Sequence, residues 1–514
     1  MIGTSFGEWA FIRLSILVLR YPVVVYTIFL GGQYLRYGNK ARDHIVTSSI
    51  IALIIAELVF AVCIYWPATR RLSDAAVHPE PLSRNARRAL FHKCFDNVPN
   101  LESYIQGWFL GAEITNIRRD NVREFILWAF FEHDDIPAGL DDDIDDEVDE
   151  YIEIIETRLD YKFAIGKGPA KSLRLTIDPI HSTYRGLMWY IIIFWVDAFT
   201  HLAMRFSGFQ YYSRQTQHAI KTFPPRLQEL AWKQHESPAA RLGYWFSEQT
   251  STEQLPVLFI HGIGIGLLTY IHFLADLRKA QLNSEGNIGI IAIELLPISF
   301  RLTQPMPRKD DLVAQISTIL KHHNWREFTI ASHSYGSVVT SQLLSDHVLQ
   351  QQVRSVMLVD PVSVMLHLPT IAYNFTRRTP RLANEWQLWY FASTDPVVAN
   401  CLGRHFFWRE NIAWKEELVA SSADNFPVLE RKVTVCLAGR DIILDPLAAA
   451  QYLAQRSGEA PELATGASSE VTVLTFPRLD HAQVFDSAID YRRIIEGLID
   501  DQEGAFRERV AQIE

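Results

Sequence analysis

The chain has 514 residues, 48% of them hydrophobic and 21% charged, with a formal net charge of −10. That length is a prior for about two to four domains with ample material for a core, and the composition excludes a disordered chain. An acidic chain without a basic block has nothing to neutralise a phosphate backbone, so nucleic acid is excluded as a partner. The four cysteines, Cys63, Cys94, Cys401 and Cys436, lie far apart without a C-x-x-C pair. They argue against a disulfide scaffold or a zinc centre and fit reduced thiols facing a cytosol-like compartment.

Two apolar runs come first. Residues 9–32 are interrupted by Arg13 and Arg20, while residues 48–66 carry only Glu57 as a charge. The second run is long enough to cross a hydrocarbon core of about 30 Å at about 1.5 Å per residue. The arginines of the first would have to snorkel, or that segment lies in the interface. No basic region precedes it and no small-x-small site follows it, so a cleaved signal peptide is not expected. Residues 1–70 are therefore expected to form a membrane anchor of one or two transmembrane helices. Arg36, Lys40 and Arg42 lie between the runs, and Arg70, Arg71, Arg84, Arg87 and Arg88 follow the second. With both flanks basic, charge leans the rest of the chain towards the cytosol. The expectation is an integral or tightly associated intracellular membrane protein.

Residues 71–235 read as a helical region. Ala86–Phe95, Leu101–Leu110 and Asn121–Glu132 carry apolar residues at helical spacing. The acidic stretch from Asp134 to Glu156 lacks the turn glycine of a calcium loop and reads as a solvated helix start. A third apolar stretch, Leu187–Phe206, contains Asp197 and His201 four residues apart and so on one helix face. Polar groups are costly inside a span, so this helix is expected to be amphipathic, docked or interfacial, rather than a third crossing. Asp197 and His201 alone offer too few ligands for a metal.

From about residue 240 the texture changes. Short apolar runs at Val257–Ile260, Ile288–Ile293, Phe328–Ala331, Val353–Val359, Val433–Leu437 and Val471–Phe476 alternate with helical patterns at Leu267–Gln281, Asp310–His323 and Ser337–Leu349. Repeated strand–helix units predict a doubly wound, mostly parallel α/β sheet.

Four motifs in this half carry chemistry. The first is Ser332-His333-Ser334-Tyr335-Gly336, between a strand and a helix. A nucleophile on such a sharp turn needs small residues two positions away, and Ser332 and Gly336 meet that need. The second is Val257 to Gly266, a strand running into His261-Gly262-Ile263-Gly264-Ile265-Gly266. Its glycines let backbone N–H groups approach a developing oxyanion, with Ile263 and Tyr335 as the two donors. The loop lacks the Lys-Ser/Thr of a P-loop and the glycine spacing of a dinucleotide fold. The third is the acid, Asp441, at the C-terminal end of the strand Val433–Gly439. Asp360, after the strand ending at Val359, is its rival, whereas Asp445 before Pro446 reads as a helix N-cap. The fourth is His481, in Leu479-Asp480-His481-Ala482, placed to act as base. His261 and His333 read as structural.

On these motifs and their order, residues 240–500 resemble the α/β-hydrolase superfamily, serine esterase- or lipase-like. The resemblance implies a Ser334–His481–Asp441 triad, an oxyanion hole at the Ile263 and Tyr335 amides, and no cofactor or metal. A serine nucleophile argues against the dehalogenase and epoxide hydrolase branches, which usually use aspartate. Non-catalytic members commonly lose triad residues, and here all three are present. The core is expected to comprise residues 236–360 and 432–514, with a helical cap inserted at 361–431. That insertion holds Trp386, Trp389, Tyr390, Phe391, Phe406, Phe407, Trp408 and Trp414. The expected function is a membrane-associated serine hydrolase cleaving esters of hydrophobic or lipid-like compounds, with that substrate and a lipid membrane as partners. An acyltransferase using the same triad, or a non-catalytic membrane-tethered binding protein, are the alternatives.

Overall fold

Among the described residues, nine strands form one sheet in the order β2-β1-β3-β5-β4-β6-β7-β8-β9. They are β1 (Gln210–Ser213), β2 (His235–Glu236), β3 (Gly243–Ser247), β4 (Val257–Ile260), β5 (Ile290–Glu294), β6 (Phe328–His333), β7 (Val353–Val359), β8 (Lys432–Ala438) and β9 (Val471–Phe476). The computed structural model describes residues 2–133, 142–280, 286–420, 429–454 and 471–513. From β5 to β9 every pairing is parallel, while β3 runs antiparallel to β5 and to β1. This is the α/β-hydrolase fold, a mostly parallel sheet with helices on both faces. Alternate residues of one strand enter different cores. Ile291 and Ile293 pack with Ile316 and Val338 on one face, Ile290 and Ala292 with Leu274 and Leu277 on the other. Two-sided burial is why the inner strands β4 and β5 read as apolar runs.

The sheet starts before residue 236. Strand β1 and the first residue of β2 lie within the stretch read as helical, and β3 was not foreseen either. They are short, and their polar or aromatic residues carry no run long enough to signal a strand.

The N-terminal segment forms helices α1 (Phe6–Arg20), α2 (Pro22–Tyr37) and α3 (Ile45–Phe60). The helix Ile45–Ser73 is long and apolar enough to cross a membrane; the pair Phe6–Arg20 and Pro22–Arg42 qualifies only as one bent unit, with an 88° bend. The charges in these runs are spent on the protein. Arg13 lies 3.8 Å from the Trp386 ring centroid and Arg20 5.6 Å from that of Trp389, so α1 is held against the cap insertion. Glu57 is buried, and its carboxylate accepts the Leu187 N–H at 2.9 Å. That N–H opens helix α4 (Leu187–Phe206), whose N-cap, Gly186, has no side chain to do the capping. A Cβ on Gly186 would lie 2.6 Å from Pro22 and 2.9 Å from Glu57, so only glycine fits.

Helix α4 also passes the length and apolarity test for a span. One face exposes Ile191, Trp195, Phe199 and Leu202; the other buries Trp189, Tyr190, Ile193 and Asp197 against the protein. Asp197 accepts from Arg226 at 3.0 Å, Gln228 at 2.7 Å and Arg301 at 2.6 Å. Arg226 also reaches Glu294, the last residue of β5, at 2.7 Å, and Glu229 lies between Arg226 and Arg214. Three buried acids thus face three buried arginines, tying α4 to the end of β5 inside the sheet. His201 packs on Tyr211 and Trp245.

The helices Arg84–Asp96, Leu101–Trp108, Arg119–Ile126 and Asp142–Leu159 form the rest of the N-terminal region. The acidic residues from Asp142 onward begin a helix, and Glu147 pairs with Arg87 at 2.6 Å. The expectation for residues 134–141 lies outside the described residues.

Removing one partner of a buried ion network strands the others. Arg226→Ala is expected to lower the unfolding free energy by about 3–5 kcal/mol, measured by denaturation of the detergent-solubilised protein. An unchanged midpoint would show that the network does not hold α4.

Candidate active site

Strand β6 ends in a turn so tight that Ser334 takes φ 51°, in the left-handed region. Serine rarely adopts this conformation unless its surroundings impose it. The Ser334 N–H donates to Val359 O at 2.9 Å, and helix α5 (Gly336–Leu344) starts immediately afterwards. A Cβ on Gly336 would lie 2.3 Å from Ile260 O, and one on Gly262 2.7 Å from Ser334 Cβ. Both glycines are therefore dictated by the approach of the turn to β4 and its loop. Ser332, where the pattern ordinarily has glycine, accepts a hydrogen bond from Thr340 Oγ1 at 2.8 Å, so its hydroxyl is buried but satisfied.

Ser334, His481 and Asp441 come from three separate loops and meet. His481 Nε2 lies 2.9 Å from Ser334 Oγ, and His481 Nδ1 lies 2.7 Å from Asp441 Oδ2. The other Asp441 oxygen accepts from the Ile443 and Leu444 amides at 2.7 and 3.1 Å, which fixes the carboxylate plane. Burial pulls the His481 pKa down, but the Asp441 charge and its hydrogen bond outweigh this and raise it to about 9.

The rival acid, Asp360, sits beside this chain. It accepts from the Ala438 N–H at 2.8 Å and the Ala482 N–H at 2.9 Å, bracing the histidine loop by its backbone. Burial, with Asp441 nearby, pushes the Asp360 carboxyl up to about 6. Asp360, Asp441 and His481 offer ligand atoms within 4.8 Å of one another. Their spacing could suit a cation, but these atoms already bond one another or backbone amides.

Asp445 accepts from the Leu447 and Ala448 amides, the N-cap its place before Pro446 predicts. His333 Nδ1 pairs with the Tyr270 hydroxyl at 2.7 Å, and His261 Nε2 accepts the Leu295 N–H at 3.0 Å. Burial holds both rings below the usual histidine range, so they are neutral supports.

Ile263 and Tyr335 line an apolar pocket that opens on Ser334, and neither backbone N–H has an acceptor among the described residues. Leu366, Phe375, Phe406 and Trp408 line it from the insertion after β7. Trp108 and Trp128 line it from the N-terminal half, which the sequence reading left without a role. Asp480 was also missed. It accepts from the His481 and Ile442 amides and from Asn384 Nδ2, joining the His481 loop, the Asp441 loop and the insertion after β7. Its position next to His481 was the only available signal.

Residues 256–435 match the family model described as alpha/beta hydrolase fold. The match and the order of the strands agree on the α/β-hydrolase fold. Among solved structures, a bacterial membrane phospholipase A is 14% identical, with 61% of this chain and 94% of that chain covered and a TM-score of 0.35. A carboxylesterase study of Nitrososphaera gargenis is matched at 14% identity, 50% and 94% coverage and TM-score 0.32. Naproxen esterase from Bacillus subtilis is matched at 12% identity, 50% and 86% coverage and TM-score 0.33. Such distant likeness carries no statement about activity. No curated protein matches the chain.

Gly336→Ala is expected to abolish folding, at a cost on the order of 4–5 kcal/mol, read as loss of soluble expression in detergent. Ser332→Gly should cost only about 1–2 kcal/mol, the lost Thr340 hydrogen bond plus strand entropy. Equal behaviour of the two variants would contradict the packing account.

Proposed function

We propose that the protein is a membrane-associated serine hydrolase that cleaves carboxylic esters of hydrophobic or lipid-like compounds through an acyl-enzyme. The observation that carries this reading is the unbroken hydrogen-bonded chain from Asp441 through His481 to Ser334, opening into an apolar pocket.

In this mechanism Ser334 Oγ attacks the ester carbonyl carbon while His481 Nε2 takes its proton. Asp441 holds Nδ1–H, which keeps Nε2 free to accept and stabilises the imidazolium once formed. The Ile263 and Tyr335 amides stabilise the oxyanion. The carbonyl carbon–alkoxide bond then breaks, and the leaving alkoxide receives the proton from His481. Water, deprotonated by the same nitrogen, releases the acid and restores Ser334. Apolar walls give the pocket little to offer a charged substrate but favour alkyl or aryl groups.

Membrane association is supported by the exposed apolar faces of α1, α3 and α4. Phe11, Leu14, Ile55, Leu58, Trp195 and Phe199 all face outward. An apolar surface of this extent calls for lipid or another protein.

Ser334→Ala is expected to remove labelling by a fluorophosphonate probe and to lower ester turnover on the order of 10⁴-fold or more; persistent labelling would rule out Ser334 as nucleophile. Only neutral His481 can accept the serine proton. With its pKa raised to about 9, the second-order labelling rate should climb through the alkaline range, with its inflection above the ordinary histidine value. Asp441→Asn removes the main raising influence and should move that inflection down as it slows the reaction. A wild-type inflection at or below about 6.5 would count against the assignment.

A further inference from the structure

The enclosed space at Ser334 is small, about 40 Å³. An ester with a longer chain must therefore extend elsewhere. A second space of about 630 Å³ lies between residues 175–183 and 376–403. Leu175, Thr376 and Leu402 line both spaces and so stand at the junction between them.

The outer cleft lies beside the apolar N-terminal helices. Trp386 and Trp389 are part of its wall and are also the rings that hold Arg13 and Arg20 of α1. The backbone N–H of Ile2 donates to Gln387, between those tryptophans, at 2.8 Å. Exposed Leu14 and Leu17 on α1 continue the apolar surface outward. The two arginines of the cleft are already matched by acids. Arg377 pairs with Asp178 at 3.1 Å, and Arg378 lies 3.6 Å from Glu385. Their charge is balanced within the protein, so the cleft makes no strong demand for an anionic headgroup.

We infer that an uncharged, chain-bearing ester reaches Ser334 from the α1 side through this cleft, passing between Leu175, Thr376 and Leu402, and that these three side chains set the chain-length preference. This rests on the reading of Ser334 as nucleophile. On this route the reacting carbonyl sits at Ser334, and the chain lies across the junction with its far end against the tryptophan wall. Leu402 is the controlling position: it is almost fully buried, and its neighbour Gly403 already brings the backbone close to Ile180, where a Cβ would lie 3.1 Å away. A larger side chain at 402 has little room to turn aside.

The test compares p-nitrophenyl dodecanoate with p-nitrophenyl acetate on the full-length protein in detergent, below the micelle-forming concentration of the substrate. Leu402→Trp is expected to lower the ratio of kcat/KM for dodecanoate over acetate by about tenfold or more. Leu402→Ala, which carries the test if the bulky variant does not fold, is expected to raise that ratio. Fluorophosphonate labelling of Ser334 in each variant reports that the site is intact. A ratio unchanged in both variants would overturn the route while leaving the nucleophile in place. A wild-type protein that neither labels nor turns over either ester would overturn the nucleophile reading, and the route with it.

Discussion

The turn at Ser334 holds its position because β4 and its loop leave no space around it. Gly336 passes so close to Ile260 O, and Gly262 so close to Ser334 itself, that neither can carry a side chain. In return the serine is held in a conformation it would not choose, with its hydroxyl lifted off the end of the sheet. Two other loops close on it from β8 and β9. Asp360 and Asp480, neither hydrogen-bonded to the imidazole itself, grip the backbone of those loops at Ala438, Ala482, Ile442 and His481. Loop amides that would otherwise lack partners in a buried place are satisfied, and the imidazole is aimed as a consequence.

The N-terminal half is built into the same body. Its charged residues, which look out of place in apolar runs, each meet a partner elsewhere on the chain. Arg13 and Arg20 stack on Trp386 and Trp389, Glu57 caps α4, and Asp197 joins a balanced cluster at the end of β5. The outward faces of the same helices stay apolar. The half that carries these helices also supplies Trp108 and Trp128 to the pocket above Ser334.

Much of the hydrolase half could be read from the chain. Parallel strands concentrate Val, Ile, Leu and Phe, and six of them are legible even where Thr, Ser or Arg interrupts the run. The glycines and the small Ser332 around Ser334 betray a steric demand local to a few residues. Strands β1, β2 and β3 escaped because strands of two to five polar or aromatic residues are too short to show a distinctive period. Asp360 and Asp441 both end strands, and only the distance to His481 Nδ1, 2.7 Å for Asp441, separates their parts.

What the sequence determined by itself is the set of local constraints: the strand–turn–helix around Ser334, the order of Ser334, Asp441 and His481 at the ends of strands, and apolar helices with a few stray charges. These follow from sterics and periodicity within a dozen residues. The tertiary structure alone decided which charges meet, since Glu57 and Leu187, or Arg13 and Trp386, are linked only through space. It alone brought Trp108, Phe375 and Leu402 around one serine. Such pocket walls leave no local pattern, because a side chain that packs against a distant segment looks, in sequence, like any other core residue.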